Sequence, residues 1–278
     1  MSVLVTKADG TTEPFVEQKL RRSLRRSGAD SSEVESVIQK IESLLYDGIK
    51  TQEIYSKAFE YLRQIERPSA ARYSLRRALF GLGPTGFPFE DFLARLFATE
   101  GYQTVTRQTI MGKCVEHEID VAAYNDTHSF VAEAKFHARP GIKSDLQVIM
   151  YSYARKLDLE GKRTCGADHC GITSFMIVTN TKFTSTAERY AECVGVDLLS
   201  WDYPKHNNLH DRIQRSGLYP ISVLDNLSLA QKRALIDRGA IVCRDIVDKP
   251  HLLRHAHLST KKTEAVLSEA RQLCTSGN

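Results

Sequence analysis

The stretch "EHEIDVAAYNDTHSFVAEAKF", residues 116–136, decides how the rest of the chain is read. Its two ends read as apolar β-strands, and "YNDTH" between them has the chemistry of a turn. Yet each strand carries charge where a core strand is apolar. Asp120 interrupts Ile119 and Val121, and Glu133 and Lys135 interrupt the run from Phe130 to Phe136. Alternation places Glu133 and Lys135 on one face, and pairing through the turn brings Asp120 toward Glu133. Two carboxylates held together repel, which raises the cost of ionising both. A hard divalent cation, magnesium or manganese, removes that cost through oxygen ligands. Lys135 beside them can hold a water or answer the charge of a phosphate. The set suits metal-assisted phosphodiester hydrolysis. The plain alternative is a solvent-facing strand edge with an incidental Glu–Lys pair.

The surroundings extend this reading. "FEDFLARLFATEGY" has the pattern of an amphipathic helix ending at Gly101. Strands are expected at about 103–110, 117–123 and 129–136, then a helix over about 143–160. "ITSFMIVTN" reads as a buried strand, "TSTAERYAECVG" as a helix and "VDLLSW" as a last strand. Strands alternating with helices imply a mixed α/β sheet.

This order of elements, with Asp120 and then Glu133-Ala134-Lys135, resembles the PD-(D/E)XK nuclease fold and within it the Mrr-type restriction endonucleases. The resemblance spans about residues 87–202. It implies Asp120 and Glu133 as metal ligands and Lys135 as a catalytic residue. It further implies an acid from the preceding helix, here Glu90, and a polar residue on the following helix, here Gln147. The Thr-Asn after the "ITSFMIVTN" strand and the alanine-lined helix are scaffold by the same resemblance. Glu118 shares a face with Asp120, and His137 with Lys135. For these two, and for His117, an exposed polar role stands beside a functional one.

Residues 1–82 form a separate unit. Asp9-Gly10 between "VLVTK" and "TTEPF" is a hairpin signal. Four helical patterns follow. One stops at Gly28, one opens with Ser32 and Glu35 at capping-box spacing and ends at Gly48, one starts at Thr51, and one has Pro68 in its first turn. The unit resembles an ATP-cone, the nucleotide-binding regulatory module of ribonucleotide reductases and their repressor. The motif residues carried over are Val5, Lys7, Asp9, Gly10, Glu13, Phe15, Lys19 and Thr51. The resemblance implies ATP or dATP as an allosteric effector. Ala8 stands where the family usually has arginine. Arg21, Arg22, Arg25 and Arg26 read first as a solvated basic helix face.

"GLGPTGFP", residues 81–88, reads as a linker. From 206 onward the pattern is short helices, resembling a helix–hairpin–helix or related helical bundle that grips DNA phosphates through backbone N–H groups, with a packing or oligomerisation role as the alternative. Arg238-Gly239-Ala240 lacks the usual second glycine. Lys261 and Lys262 add plausible phosphate contacts at a helix start.

Composition sets bounds. The chain has 278 residues, 42% hydrophobic and 26% charged, with net charge +4 and pI about 8.7. That balance is ordinary for a globular protein and compatible with nucleic acid. No apolar run reaches membrane-span length, and the first residues lack a signal-peptide pattern, so a cytoplasmic protein is expected. The six cysteines, at 114, 165, 170, 193, 243 and 274, show no scaffold spacing and read as reduced thiols. "CGADHC" (Cys165, His169, Cys170) has no second pair at finger spacing and does not read as a zinc site.

The fold class expected is multi-domain α+β and α/β. It comprises a mostly helical cone with a β-hairpin (1–82), a central mixed-sheet restriction-endonuclease-like fold (87–205) and a small all-α domain (206–278). The expected function is magnesium-dependent DNA endonuclease activity governed by adenine nucleotide, with a homo-oligomer as one route of control. No GxxxxGK[ST] phosphate loop is present, so ATP is read as effector rather than fuel. A non-cleaving nucleotide-controlled DNA-binding regulator and an RNA or structure-specific nuclease are the alternatives.

Overall fold

A computed structural model describes residues 3–167 and 170–275; His169 of the cysteine motif lies outside them. The N-terminal unit opens with strands β1 (Leu4–Thr6) and β2 (Thr12–Pro14). Gly10 turns the hairpin at φ +82°, where a side chain is disfavoured. Helices α1 (Glu17–Arg26) and α2 (Ser31–Glu42) follow. A strand missed in the sequence, β3 (Ile49–Lys50), pairs parallel with β1 and leads directly into α3 (Thr51–Ile65). Helices α4 (Arg67–Tyr73) and α5 (Leu75–Phe80) stand in place of the single fourth helix expected, with a break at Ser74. Leu24, Val34, Val37, Ile38, Ala58 and Leu62 make this unit's own core.

The cap of α2 differs from expectation. Asp30, not Ser32, is the N-cap: its carboxylate accepts from the Ser32 and Glu33 N–H groups at 2.8 and 2.9 Å. Glu33 answers on the Asp30 N–H, and Glu35 instead binds Arg21. Asp30/Glu33 and Ser32/Glu35 have the same spacing, so the local pattern alone does not choose between them. The helix ends at Glu42 rather than Gly48, which precedes β3.

Helix α6 (Phe87–Thr99) leads to β4 (Gln103–Met111), β5 (Glu116–Tyr124) and β6 (Ser129–Lys135). Asn125 organises the β5–β6 turn by accepting from the Thr127 and His128 N–H groups at 3.0 and 2.9 Å. After β7 (Lys143–Ser144) and α7 (Leu146–Asp158), β8 (Ser174–Thr179) returns parallel to β6. Then β9 (Lys182–Phe183) pairs with β7, α8 (Ser185–Val194) crosses over, and β10 (Asp197–Leu199) lies parallel to β8. The five-stranded order is β10-β8-β6-β5-β4, antiparallel only at its β6-β5-β4 end. This is the mixed sheet that the alternation of elements predicts.

The pleat divides the sheet's side chains between two cores. Ala122 and Val131 pack with Ile149 of α7 and Ala187 of α8. Val121, Ala123 and Ala132 pack with Phe89, Phe92 and Phe97 of α6. This second core continues into α9 (Leu209–Ser216), a 3₁₀ turn at Ile221–Val223, α10 (Leu229–Ile236) and α11 (Cys243–Asp248). A 3₁₀ stretch at Pro250–Ala256 and α12 (Thr260–Thr275) complete the chain. The late helices are mostly too short to be stable alone, and they bury Leu209, Ile213, Leu235, Ile246 and Leu273 in the cluster that holds Phe89 and Leu79.

Two further expectations are corrected. The Gly/Pro stretch at 81–88 is packed rather than free: Leu82 is buried, and the Phe136 ring lies where a side chain on Gly83 would stand. Cys165 and Cys170 are not free thiols but a disulfide, their Cα atoms 5.4 Å apart, within the range such a bond requires. The loop ends meet through the Arg163–Gly171 bridge, a contact that cysteine spacing does not announce.

Candidate functional site

The last ladder pair between β5 and β6 toward this end is Val121 opposite Ala132. One step further, Asp120 faces Glu133, and facing residues share a side of the sheet. The Asp120 carboxylate reaches across to accept the Ala134 N–H at 2.7 Å. Lys135 donates to Glu133 Oε1 at 2.6 Å. The end of β8 steadies this strand: Thr179 Oγ1 donates to the Lys135 carbonyl at 2.8 Å. Asn180 holds both the N–H and the C=O of His137 at 2.9 Å. The Thr-Asn step is therefore scaffold for the residues around Lys135.

Two arginines complete the cluster, and neither was singled out in the sequence. Arg155, buried on α7, donates through Nη1 to Glu133 Oε2 and through Nη2 to the Glu118 carbonyl. Glu133 is thus held between Lys135 and Arg155. Arg107 stands in register opposite Asp120, between the pairs Thr106–Val121 and Gln108–Ile119, and takes a left-handed φ of +54°. Such a conformation costs a non-glycine residue about 1–3 kcal/mol. Its guanidinium binds Glu90 at 3.2 Å and Asp91 at 2.8 Å. An i,i+4 or cross-strand pattern would reveal such partners locally; these lie 17, 16 and 22 residues apart in the chain.

The electrostatics follow. The Asp120 carboxyl is pushed up to about 6, first by burial and then by the charge of Glu133, with Glu90 adding to it. The Ala134 N–H and Lys135 oppose the rise. Burial also raises Glu90, against the pull of Arg107. Asp120, Glu133 and Glu90 therefore share one field. His137 is lowered by burial and by Lys135.

The remaining expected residues divide. Gln147 lies in the first turn of α7 with an exposed side chain, and its N–H donates to Asp145 at 3.1 Å. It lies on the face of Tyr151 and Arg155, spaced i, i+4 and i+8, so roughly 12 Å along the axis from Arg155. Glu118 is exposed, and its carbonyl rather than its carboxylate engages Arg155. His117 turns to Asp158 at 2.7 Å.

Asp120 and Glu133 offer oxygen donors of the kind a hard divalent cation takes. Among the described residues no group of three or more His, Cys, Asp or Glu side chains is gathered to hold a metal ion. Magnesium, however, keeps several waters and needs only one or two carboxylates. Asp120 and Glu133 supply two carboxylates, and the Asp120 carboxyl is raised first by burial and then by Glu133. The pair fits magnesium or manganese in that limited sense.

In the N-terminal unit, Glu13 on β2 binds Lys7 at 2.6 Å and Lys19 of α1 at 2.9 Å. Asp9 accepts from the Thr11 hydroxyl at 2.6 Å and its N–H at 3.1 Å, shaping the hairpin tip with Gly10. Val5 is buried, Phe15 packs on the same core and Thr51 is the first residue of α3. The expected motif residues thus line the hairpin, the start of α1 and the start of α3.

Comparison with known proteins accords with this division. Residues 3–79 match the ATP cone domain family. Residues 219–274, expected to resemble a helix–hairpin–helix, match a family described as AF1548-like, C-terminal. A curated relative, an uncharacterized protein of Archaeoglobus fulgidus, is 38% identical over 182 residues, 65% of this chain and 99% of the relative. A solved structure, titled as that of the protein of unknown function AF1548, has a TM-score of 0.55 at 35% identity. It covers 69% of this chain and 99% of its own.

The N-terminal unit is therefore an ATP cone, a nucleotide-binding regulatory module, joined to a mixed α/β unit. The chain belongs to the AF1548-like family, which it matches over about two thirds of its length. Among the described residues no helix is long and apolar enough to cross a membrane.

Proposed function

We propose that the chain is a nucleotide-regulated, divalent-metal-dependent endonuclease acting on DNA. The observation that carries the proposal is the opposed Asp120–Glu133 pair with Lys135 2.6 Å from Glu133. Asp120 and Glu133 would hold magnesium or manganese, which supplies Lewis-acid activation of a phosphodiester and a nucleophile at neutral pH. Lys135 is the positive group that answers charge developing on the phosphate. Arg155 fixes the orientation of Glu133, and Arg107 does the same for Glu90. Gln147 stands on the face of α7 that leads toward Arg155. The ATP cone supplies control through ATP or dATP, by changing domain arrangement or the state of a homo-oligomer.

A second reading has its own observation. Glu133 is already neutralised by Lys135 and Arg155, as befits a non-cleaving, nucleotide-controlled DNA-binding regulator. One experiment separates them: plasmid, linear DNA and RNA incubated with the protein and Mg²⁺, with and without ATP or dATP. Cleavage of DNA that requires Mg²⁺ supports the nuclease. Binding without cleavage under every condition favours the regulator, and cleavage confined to RNA moves the substrate.

A further inference from the structure

A cleft lies where the ATP cone meets the segment after β10. It is lined by Lys19, Arg22 and Arg26 of α1, Arg72 of α4, and Trp201 and His210 from the other side, and encloses about 130 Å³. An open trough of about 430 Å³ on α1 shares Arg22 and Arg26 with it. Positions 19, 22 and 26 recur every three to four residues, so their cations share a helix face. Among the described residues no carboxylate lines the cleft.

Neighbouring groups answer this positive charge only in part. Lys19 is answered by Glu13, and Arg26 by Asp211 at 2.7 Å and the His210 ring at 2.7 Å. Arg72 donates to the Ser27 carbonyl at 2.6 Å and to Ser69 Oγ at 2.9 Å, with Glu66 at 3.9 Å. It is held in place beneath Gly28, where an added Cβ would come within 2.8 Å of its guanidinium. Arg22 has no hydrogen bond or ion pair among the described residues. Trp201 forms a wall, with the His210 ring edge-on at 4.9 Å and the Arg76 guanidinium 6.0 Å away. Guanidinium forks match phosphate oxygens in pairs, and cations around a partly enclosed volume reinforce one another's field.

We propose that this cleft is an oligophosphate site distinct from the hairpin site, taking the phosphate chain of a nucleotide or free tripolyphosphate. A ligand there touches the cone through α1 and α4 and the remainder of the chain through Trp201 and His210. It therefore joins the two units. Lys19 belongs both to the cleft and to the Glu13 pair of the hairpin, so occupancy of one site changes the other, reciprocally. The proposal needs no catalytic role for Asp120 or Glu133.

Trp201 is the chain's single tryptophan, so its emission reports on this cleft. The full chain is titrated, without metal, with sodium tripolyphosphate and with sodium chloride at matched ionic strength. A saturable change with tripolyphosphate alone is expected. Arg22→Ser, which removes a cation with no partner among the described residues, is expected to weaken it by about tenfold or more, the scale of one charge-assisted hydrogen bond. Lys7→Ala, at the hairpin, is expected to keep the response. In that background ATP and GTP are compared with tripolyphosphate: tighter nucleotide binding assigns the phosphate chain to a nucleotide, and equal or weaker binding assigns free oligophosphate. The proposal is overturned by no saturable change at millimolar tripolyphosphate, by an equal change with chloride, or by unaltered affinity in Arg22→Ser. It is equally overturned if a short single-stranded oligonucleotide gives the change at lower concentration, since the cleft would then belong to a nucleic-acid track.

Discussion

Asp120 and Glu133 face each other across neighbouring antiparallel strands, and the Asp120 carboxylate is tied at 2.7 Å to the N–H of Ala134, the residue after its partner. The two acids therefore stand one step past the last ladder pair, with the Asp120 side chain anchored on the main chain of the facing strand. Chemistry that depends on this pair should be sensitive to its charge and insensitive to loop motion.

Charge removal is the direct test. Asp120→Asn, Glu133→Gln and Lys135→Met are each expected to lower Mg²⁺-dependent cleavage by about a hundredfold to a thousandfold, the scale of one well-placed electrostatic group. Glu133→Gln is preferred to alanine, because alanine leaves buried Arg155 without its carboxylate and would cost about 3–5 kcal/mol of stability. Cleavage at the wild-type rate by the folded Glu133→Gln protein would remove the nuclease assignment.

The pH dependence of stability carries a definite sign. Asp120 has its folded-state pKa raised to about 6. The native state then holds the proton more tightly than the unfolded chain between the two pKa values. This contribution is full below the ordinary carboxyl value and is lost as pH rises through about 6. Its ceiling is about 3 kcal/mol, reduced by the partial exposure of the group. A cation held by the proposed pair would bind its ionised form, so the rise in Tm on adding Mg²⁺ should be small near about pH 5 and grow above about pH 6. Thermal melts of the wild type and Asp120→Asn measure this directly. A Mg²⁺ increment that does not vary with pH, or that persists in Asp120→Asn, counts against the site.

The ATP cone supplies the third prediction. Lys7→Ala and Lys19→Ala remove the two cations that converge on Glu13. Both variants should lose ATP and dATP binding at the hairpin site by calorimetry while keeping nucleotide-free activity. Ala8→Arg should tighten binding. Light scattering and cleavage on the same preparations should respond to nucleotide by a factor of about five to 150, equivalent to about 1–3 kcal/mol of coupling. If neither nucleotide binds at millimolar concentration, control by this module is ruled out.

Packing makes an asymmetric prediction for truncation. The cone has its own apolar cluster, whereas Leu209, Ile213, Leu235 and Leu273 share theirs with Phe89 and Phe92. Residues 75–278 are expected to unfold cooperatively by circular dichroism, and residues 1–205 are expected to aggregate or to keep only the transition of the cone. Ile213→Ala should cost about 2–5 kcal/mol. A well-folded 1–205 fragment would show that the late helices are an independent domain.

Much of this protein follows from its sequence alone. Short apolar runs interrupted by single charges marked β5 and β6, Asp9-Gly10 marked the hairpin, and Glu133-Ala134-Lys135 put an acid and a lysine on one face. These features are local: a strand's period and a turn's backbone demand are satisfied within a few residues. Tertiary structure decided the rest. It chose Asp30 over Ser32 as the cap of α2, although both have the same spacing. It brought Arg155 to Glu133 and Arg107 to Glu90, contacts between separate elements that no local period encodes. It joined Cys165 to Cys170 and gathered Arg22, Arg26 and Arg72 around Trp201. It also merged the late helices into the α6 core, because helices that short must cover their apolar faces on whatever surface the rest of the chain presents.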